Sequence, residues 1–121
     1  MNLVFKKIEN KGTEEEYLLF RAEKDCNLSN YLLHDDTFNA DGELSNKLRH
    51  MYRFPRSVKV AKDEYVKLYI KKKGKYRLGE YGFLKQSPCH IFYWGLDTSV
   101  FNEDGDHLYL LRIAETSTSL V

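Results

Sequence analysis

Apolar and aromatic side chains recur along this chain in short runs, and in most windows their spacing follows a period of two rather than 3.6. The clearest alternation lies in residues 65–71, where Val66, Leu68 and Ile70 share one face and Lys67, Tyr69 and Lys71 the other. Successive side chains of a strand point to opposite sides, so this segment predicts a strand with one buried and one wet face. Tyr17, Leu18, Leu19 and Phe20 stand in a row and predict a strand over 16–22 buried on both faces, entered through the turn-forming residues 9–13. Further strands are expected over 3–8, 31–33, 49–54, 75–78, 81–84, 90–94 and 107–113, with Phe92, Tyr93 and Trp94 as core. Pro55 cannot donate to a ladder and should end the strand at 49–54. The longest helix candidate, residues 41–53, carries Leu44, Leu48 and Met51 at helical spacing. Its Ser, Asn, His and aromatic residues are middling helix formers, so at most one short helical turn is expected near 41–50. Short strands with turn chemistry between them indicate an all-β sandwich occupying residues 1–121 as one domain.

Composition narrows the class. At 121 residues with 42% hydrophobic side chains, nine Tyr and seven Phe, the chain has mass for one packed core, which excludes wholesale disorder. No apolar run approaches the roughly 18 residues of a membrane span. The first seven residues put their lysines after the apolar patch, the reverse of a secretory signal, so a cytoplasmic protein is expected. No repeat or low-complexity tract is present. The net charge of +1 hides an asymmetry: residues 53–85 hold eleven Lys and Arg against Asp63, Glu64 and Glu80, a local balance of +8, which leaves −7 for the rest. Such segregation points to a charged partner.

Catalytic and metal chemistry find little support. Cys26 and Cys89 are too few for a disulfide scaffold and are expected as reduced, buried thiols. Those two cysteines and four scattered histidines lack the paired short spacings of a zinc site. Cys89 and His90 are neighbours on one strand, so they face opposite ways and cannot form a dyad alone. Residues 102–106 end in Asp-Gly-Asp chemistry suited to a hairpin turn and lack the ligand pattern of a calcium loop. There is no phosphate-cradling glycine loop or nucleophile elbow. No cofactor or metal is expected, and the chain reads as non-catalytic.

The basic segment carries the sharper hypothesis. Its lysines and arginines interleave with Tyr52, Phe54, Tyr65, Tyr69, Tyr76 and Tyr81, a mixture that suits neutralising phosphates and stacking bases. The candidate binding residues are Arg53, Arg56, Lys67, Tyr69, Lys71, Lys72, Lys73, Lys75, Tyr76 and Arg77. The expected partner is a nucleic acid or an acidic protein surface. The plainer alternative makes residues 71–75 a solvated hairpin tip whose lysines guard an edge strand. The acidic Glu14, Glu15, Glu16, Asp35 and Asp36 could also meet the basic face of a second copy, giving self-association.

Three blocks carry a family resemblance. The segment Asn27-Leu28-Ser29-Asn30-Tyr31-Leu32-Leu33-His34-Asp35 resembles the D-L-S-G-W-x-L-x-D corner of the lamin-tail domain. Tyr52-Arg53-Phe54-Pro55 followed by Glu64-Tyr65-Val66-Lys67-Leu68 is similar to that family's F-P and G-E-Y-V-x-L stretch. Val100-Phe101-Asn102-Glu103-Asp104-Gly105-Asp106-His107-Leu108-Tyr109-Leu110 resembles its V-W-N-x-x-G-D-x-V-x-L turn and last strand. The blocks come in the family's order and span roughly residues 3–114. The resemblance implies an immunoglobulin-like antiparallel β-sandwich, a stand-alone copy of bacterial or phage type, acting as a non-catalytic interaction module. Asn30 and Asp63 stand where the family has Gly, and Asn and Asp are the residues that best tolerate a left-handed backbone. Tyr31 and Phe101 replace Trp, and Asn27 can close an Asx turn at the corner. Two readings from other classes remain: a small hydrolase or nuclease using His50, His90 or His107 with Asp35 or Asp106, and a purely structural subunit of a larger assembly.

Overall fold

The alternation at Val66, Leu68 and Ile70 becomes the centre of the fold. A computed structural model describes residues 1–35, 50–84, 86–99, 101 and 107–120. Among them the strands follow as β1 Leu3–Glu9, β2 Tyr17–Ala22, β3 Cys26–Asn27, β4 Tyr31–Asp35, β5 Met51–Arg53, β6 Lys59–Val60, β7 Tyr65–Tyr69, β8 Arg77–Tyr81, β9 Ser87–Tyr93 and β10 Leu108–Arg112. They form a five-stranded sheet in the order β1-β2-β7-β9-β8, a three-stranded sheet β10-β4-β5 and a small pair β3-β6. The protein is all-β, and a single 3-10 turn, Leu28–Asn30, is its helical content among the described residues.

The core lies between the large sheet and the two smaller ones. Leu18, Phe20, Ala22, Val66, Leu68 and Phe92 supply one wall, and Tyr31, Leu33 and Tyr52 the other, in one cluster with Leu28, Val58 and Val60. Phe54 bridges the layers, with its ring edge-on to Phe92 at 5.0 Å and to Tyr52 at 5.2 Å. Edge-to-face pairs of this kind add about 0.5–1.5 kcal/mol beyond their buried area. The expectation that 16–22 is buried on both faces holds, because Leu18, Leu19 and Phe20 are all buried in succession. At the β3–β4 corner the Asn27 side chain accepts the Ser29 amide at 3.0 Å, the predicted Asx closure. Asp63 adopts a left-handed backbone with φ 73°, which Asp tolerates, and Arg21 donates to its carboxylate at 2.6 Å.

Several expectations are corrected. The sheet is mixed rather than wholly antiparallel, since β7 and β9 run parallel with Tyr65 opposite Cys89 and Tyr69 opposite Tyr93. Strands 75–78 and 81–84 are instead one strand, β8, centred on Gly79. A Cβ there would come within 2.8 Å of Ile91 Cδ1, so glycine lets β8 close on β9. Gly82, at φ +107°, then turns the chain outward and leaves Phe83 and Leu84 exposed. Residues 71–75 are no hairpin tip, because β7 and β8 do not pair; the segment crosses over to a strand on the far side of β9. Asn30 lies in the right-handed 3-10 turn rather than in a left-handed conformation. Met51–Arg53 is strand, so the helix candidate does not reach that far. Its residues 41–49 and the turn at 102–106 lie outside the described residues. The short strands β3 and β6 carried no period in the sequence, being two residues each.

Burial separates side chains of equal hydrophobicity. Leu68 is fully buried and Phe83 is 100% exposed. Leu68→Ala should cost about 2–5 kcal/mol by urea denaturation, while Phe83→Ala should stay within about 0.5 kcal/mol.

Candidate anion-binding face

With the even-numbered residues of β7 turned into the core, its odd-numbered residues face out, and pairing register brings partners alongside them. Tyr17, Tyr69 and Tyr93 align across β2, β7 and β9. One step along, Leu19, Lys67, Ile91 and Arg77 align across β2, β7, β9 and β8. The Lys67 ammonium lies 4.3 Å from the Tyr17 ring centre, 5.7 Å from Tyr69 and 5.8 Å from Tyr81. Arg77 Nε donates to the Tyr93 hydroxyl at 3.1 Å. Lys72 reaches over Tyr69 at 5.1 Å while pairing with Glu15 at 2.7 Å. Beneath this layer the outward-pointing Leu19, Cys89 and Ile91 are buried.

The electrostatics follow from that cover. Burial raises the Tyr17 and Tyr69 phenols above their ordinary range, so both stay neutral beside the cations. The hydrogen bond to Tyr93 raises the Arg77 guanidinium, which is permanently charged in any case. Among the described residues neither Lys67 nor Arg77 has a carboxylate partner. The two cations, with the acidic Glu80 beside them, line a groove of about 480 Å³ together with Leu78, Gly79 and Ile91.

The ten predicted residues do not form one surface. Lys67, Tyr69, Lys72 and Arg77 converge on the outer face of the large sheet. Arg56, Lys75 and Tyr76 line a separate groove of about 420 Å³ that shares Tyr93 as a wall, with the Arg56 guanidinium 5.2 Å from the Tyr76 ring centre. Arg53 belongs to β5 in the other layer and is directed at the Ser29 carbonyl at 3.4 Å. Lys71 turns to the Gly12 carbonyl at 3.5 Å, and Lys73 is exposed beside Gly95. Tyr17 and Tyr93, central here, lie outside the basic segment; only strand register reveals them. The acidic run is not a free patch either, since Glu15 is paired with Lys72. Glu16 is fully buried, accepting from the Gly12 amide at 2.8 Å and the Ser99 hydroxyl at 2.6 Å.

Sequence reading also missed a partly buried polar chain on the inner side, centred on the buried His90. His90 contacts Glu64 Oε1 through Nε2 at 3.0 Å and the Tyr76 hydroxyl through Nδ1 at 2.8 Å. An ionised Glu64 can only accept, so Nε2 carries the hydrogen, and in the neutral imidazole Nδ1 is then the acceptor for the Tyr76 hydroxyl. Burial pushes the Glu64 carboxyl up, but hydrogen bonds from His90 and the Ala61 amide outweigh it and leave it below the usual range. Burial also raises the Tyr76 phenol, so the chain ends in a neutral hydroxyl that anchors the crossover. Asp35 and His50 do meet, in a separate network: the His50 amide donates to Oδ1 at 2.7 Å and its Nδ1 to Oδ2 at 3.1 Å. His34 Nδ1 lies 2.6 Å from the Asp35 carbonyl, and Tyr109 stacks on His34 at 4.8 Å. His107 sits near Tyr109, and Asp106 lies outside the described residues. Among the described residues no group of three or more His, Cys, Asp or Glu is placed to hold a metal ion. No helix among them is long and apolar enough to cross a membrane. No protein-family model matches the chain, and no curated protein matches it.

Because the folded pKa of Glu64 is depressed, its contribution is fully present above the unfolded value of about 4.3 and is lost as pH falls through the folded value. Glu64→Gln should therefore destabilise at pH 7, and the gap from wild type in urea midpoint should narrow steadily from pH 5 downward.

Proposed function

We propose that this protein is a non-catalytic interaction module of the lamin-tail type that binds an anionic partner on the outer face of its large sheet. What supports the binding reading is one observation: Lys67 and Arg77, without carboxylate partners, stand among tyrosines over an open groove. A cation fixed by aromatic rings and by a phenol oxygen loses little conformational freedom on binding, so more of its attraction for an anion appears as affinity. Lys72, already paired with Glu15, contributes at the margin of the face. The lamin-tail part of the reading draws on the three sequence blocks, and the Asn27 closure and the left-handed Asp63 fit it.

The test is fluorescence anisotropy across a salt series with labelled single- and double-stranded DNA, RNA and an acidic peptide. Affinity should fall as salt rises. The double variant Lys67→Gln, Arg77→Gln should lose roughly two charges' worth of salt slope, about 0.7–0.9 per charge for a nucleic acid. Unchanged binding by that variant would refute the assignment.

A further inference from the structure

The two edges of the large sheet are built differently. At one edge, β1 carries Lys6 and Lys7 and has a register shift between Phe5 and Lys7, devices that discourage another strand from pairing. At the other, β8 pairs with β9 in unbroken register, and among the described residues no strand covers its far side. It has no lysine and no bulge, and Leu78 on it is 61% exposed. The groove beside it is lined by the consecutive residues Arg77, Leu78, Gly79 and Glu80, so it runs along the edge strand. Gly79 contributes no side chain, so Ile91 and the Arg77 guanidinium close over it, where a Cβ would come within 2.8 and 3.2 Å of them, and the groove lies beside the Lys67 and Arg77 cations.

The opposite side of the same edge has a different lining. There Leu78 and Pro88, with Val60 of β6, border a cavity of about 700 Å³. Its wall sets Asp25 and Glu64 beside Lys59 and His90, with Cys26, Ala61 and Val60 also lining it, so it offers an occupant apolar contact rather than an uncompensated positive charge. An added strand alternates its side chains between the two faces, so this edge suits acid on the outer side and apolar on the inner. Base stacking fits less well, because the tyrosines already meet one another and lysines. Tyr69 stacks on Tyr93 at 5.4 Å, Tyr65 meets Tyr81 at 4.6 Å with its ring tilted by 45°, and Lys67 covers Tyr17.

We propose that β8 captures an extended acidic peptide by strand addition, its main chain pairing with the free edge and its carboxylates entering the Lys67–Arg77 groove. This rests on the anionic-partner reading and names the partner as polypeptide.

The probe is a fluorescein-labelled octapeptide of alternating Glu and Val, measured by anisotropy with the intact protein at low salt. N-methylating alternate amides, one set at a time, removes backbone donors and leaves the charge unchanged. Methylation of the set facing β8 should weaken binding about tenfold or more. Amide exchange of residues 77–81 should slow when the unmodified peptide is bound. Lys67→Gln, Arg77→Gln, checked for native circular dichroism, should weaken binding by a similar factor. If methylation of neither set matters, strand addition is overturned, and salt-dependent binding of the same peptide then leaves the anionic-partner reading standing. If neither this peptide nor any oligonucleotide binds at low salt, both readings fall. A dimer in sedimentation that Leu78→Lys dissolves would also overturn the proposal, because the edge would belong to a second copy.

Discussion

The parallel pairing of β7 with β9 is the constraint on which the rest of the large sheet depends. A parallel partner cannot follow through a tight hairpin, so the chain must leave β7, travel and return in the same direction. Here that excursion holds the basic loop and β8, and β8 then pairs on the outside of β9. Past the end of β9, the Trp94 amide donates to the Tyr69 carbonyl at 2.8 Å and the Leu96 amide to the Ile70 carbonyl at 2.9 Å, extending the junction beyond the strands. The crossover is pinned from beneath by the Tyr76–His90–Glu64 chain and closes on the Tyr93 ring at Gly74, where a Cβ would lie 3.0 Å away. Lysines that are contiguous in sequence are thereby distributed over different surfaces.

The outer face follows from the same arrangement. Lys67 sits between two strands whose outward residues are Tyr17 and Ile91, and β8 supplies Tyr81 and Arg77 from beyond. A lysine stem crossing apolar Leu19 and Ile91 keeps them dry while its charge stays near water, as amphipathic side chains do. The aromatic rings thus have two roles: they cover an outward-facing apolar strip, and they orient the cations above it.

Much of the fold was legible because local pattern and burial agree. Val66, Leu68 and Ile70 alternate cleanly, Tyr17 to Phe20 form an apolar run, and Asn27 and Asp63 have turn chemistry that acts within a few residues. What failed to show depends on contacts remote in sequence. Gly79 looks like a break between two strands until Ile91 is known to lie against it. The direction of β9 relative to β7 leaves no trace in either strand's composition. The charge segment 53–85 holds Lys67 and Arg77, which meet on the outer face of the large sheet, together with Arg53 and Arg56, which the fold sends elsewhere. Glu64, His90 and Tyr76 lie far enough apart in the chain that only the sheet brings them into one line.

Cys89 gives the β8–β9 contact a chemical readout. Its thiol lies opposite Gly79, is fully buried and is pushed by that burial to about 11, so at neutral pH it is neither reached by an alkylating reagent nor ionised to meet one. Cys26 is free and only partly buried in the small β3–β6 pair, on the wall of the cavity that Leu78 of β8 also borders. The protein therefore contains a slow thiol and a faster internal reference. The ratio of their alkylation rates acts as a clock for how often the edge strand lifts away from its neighbour.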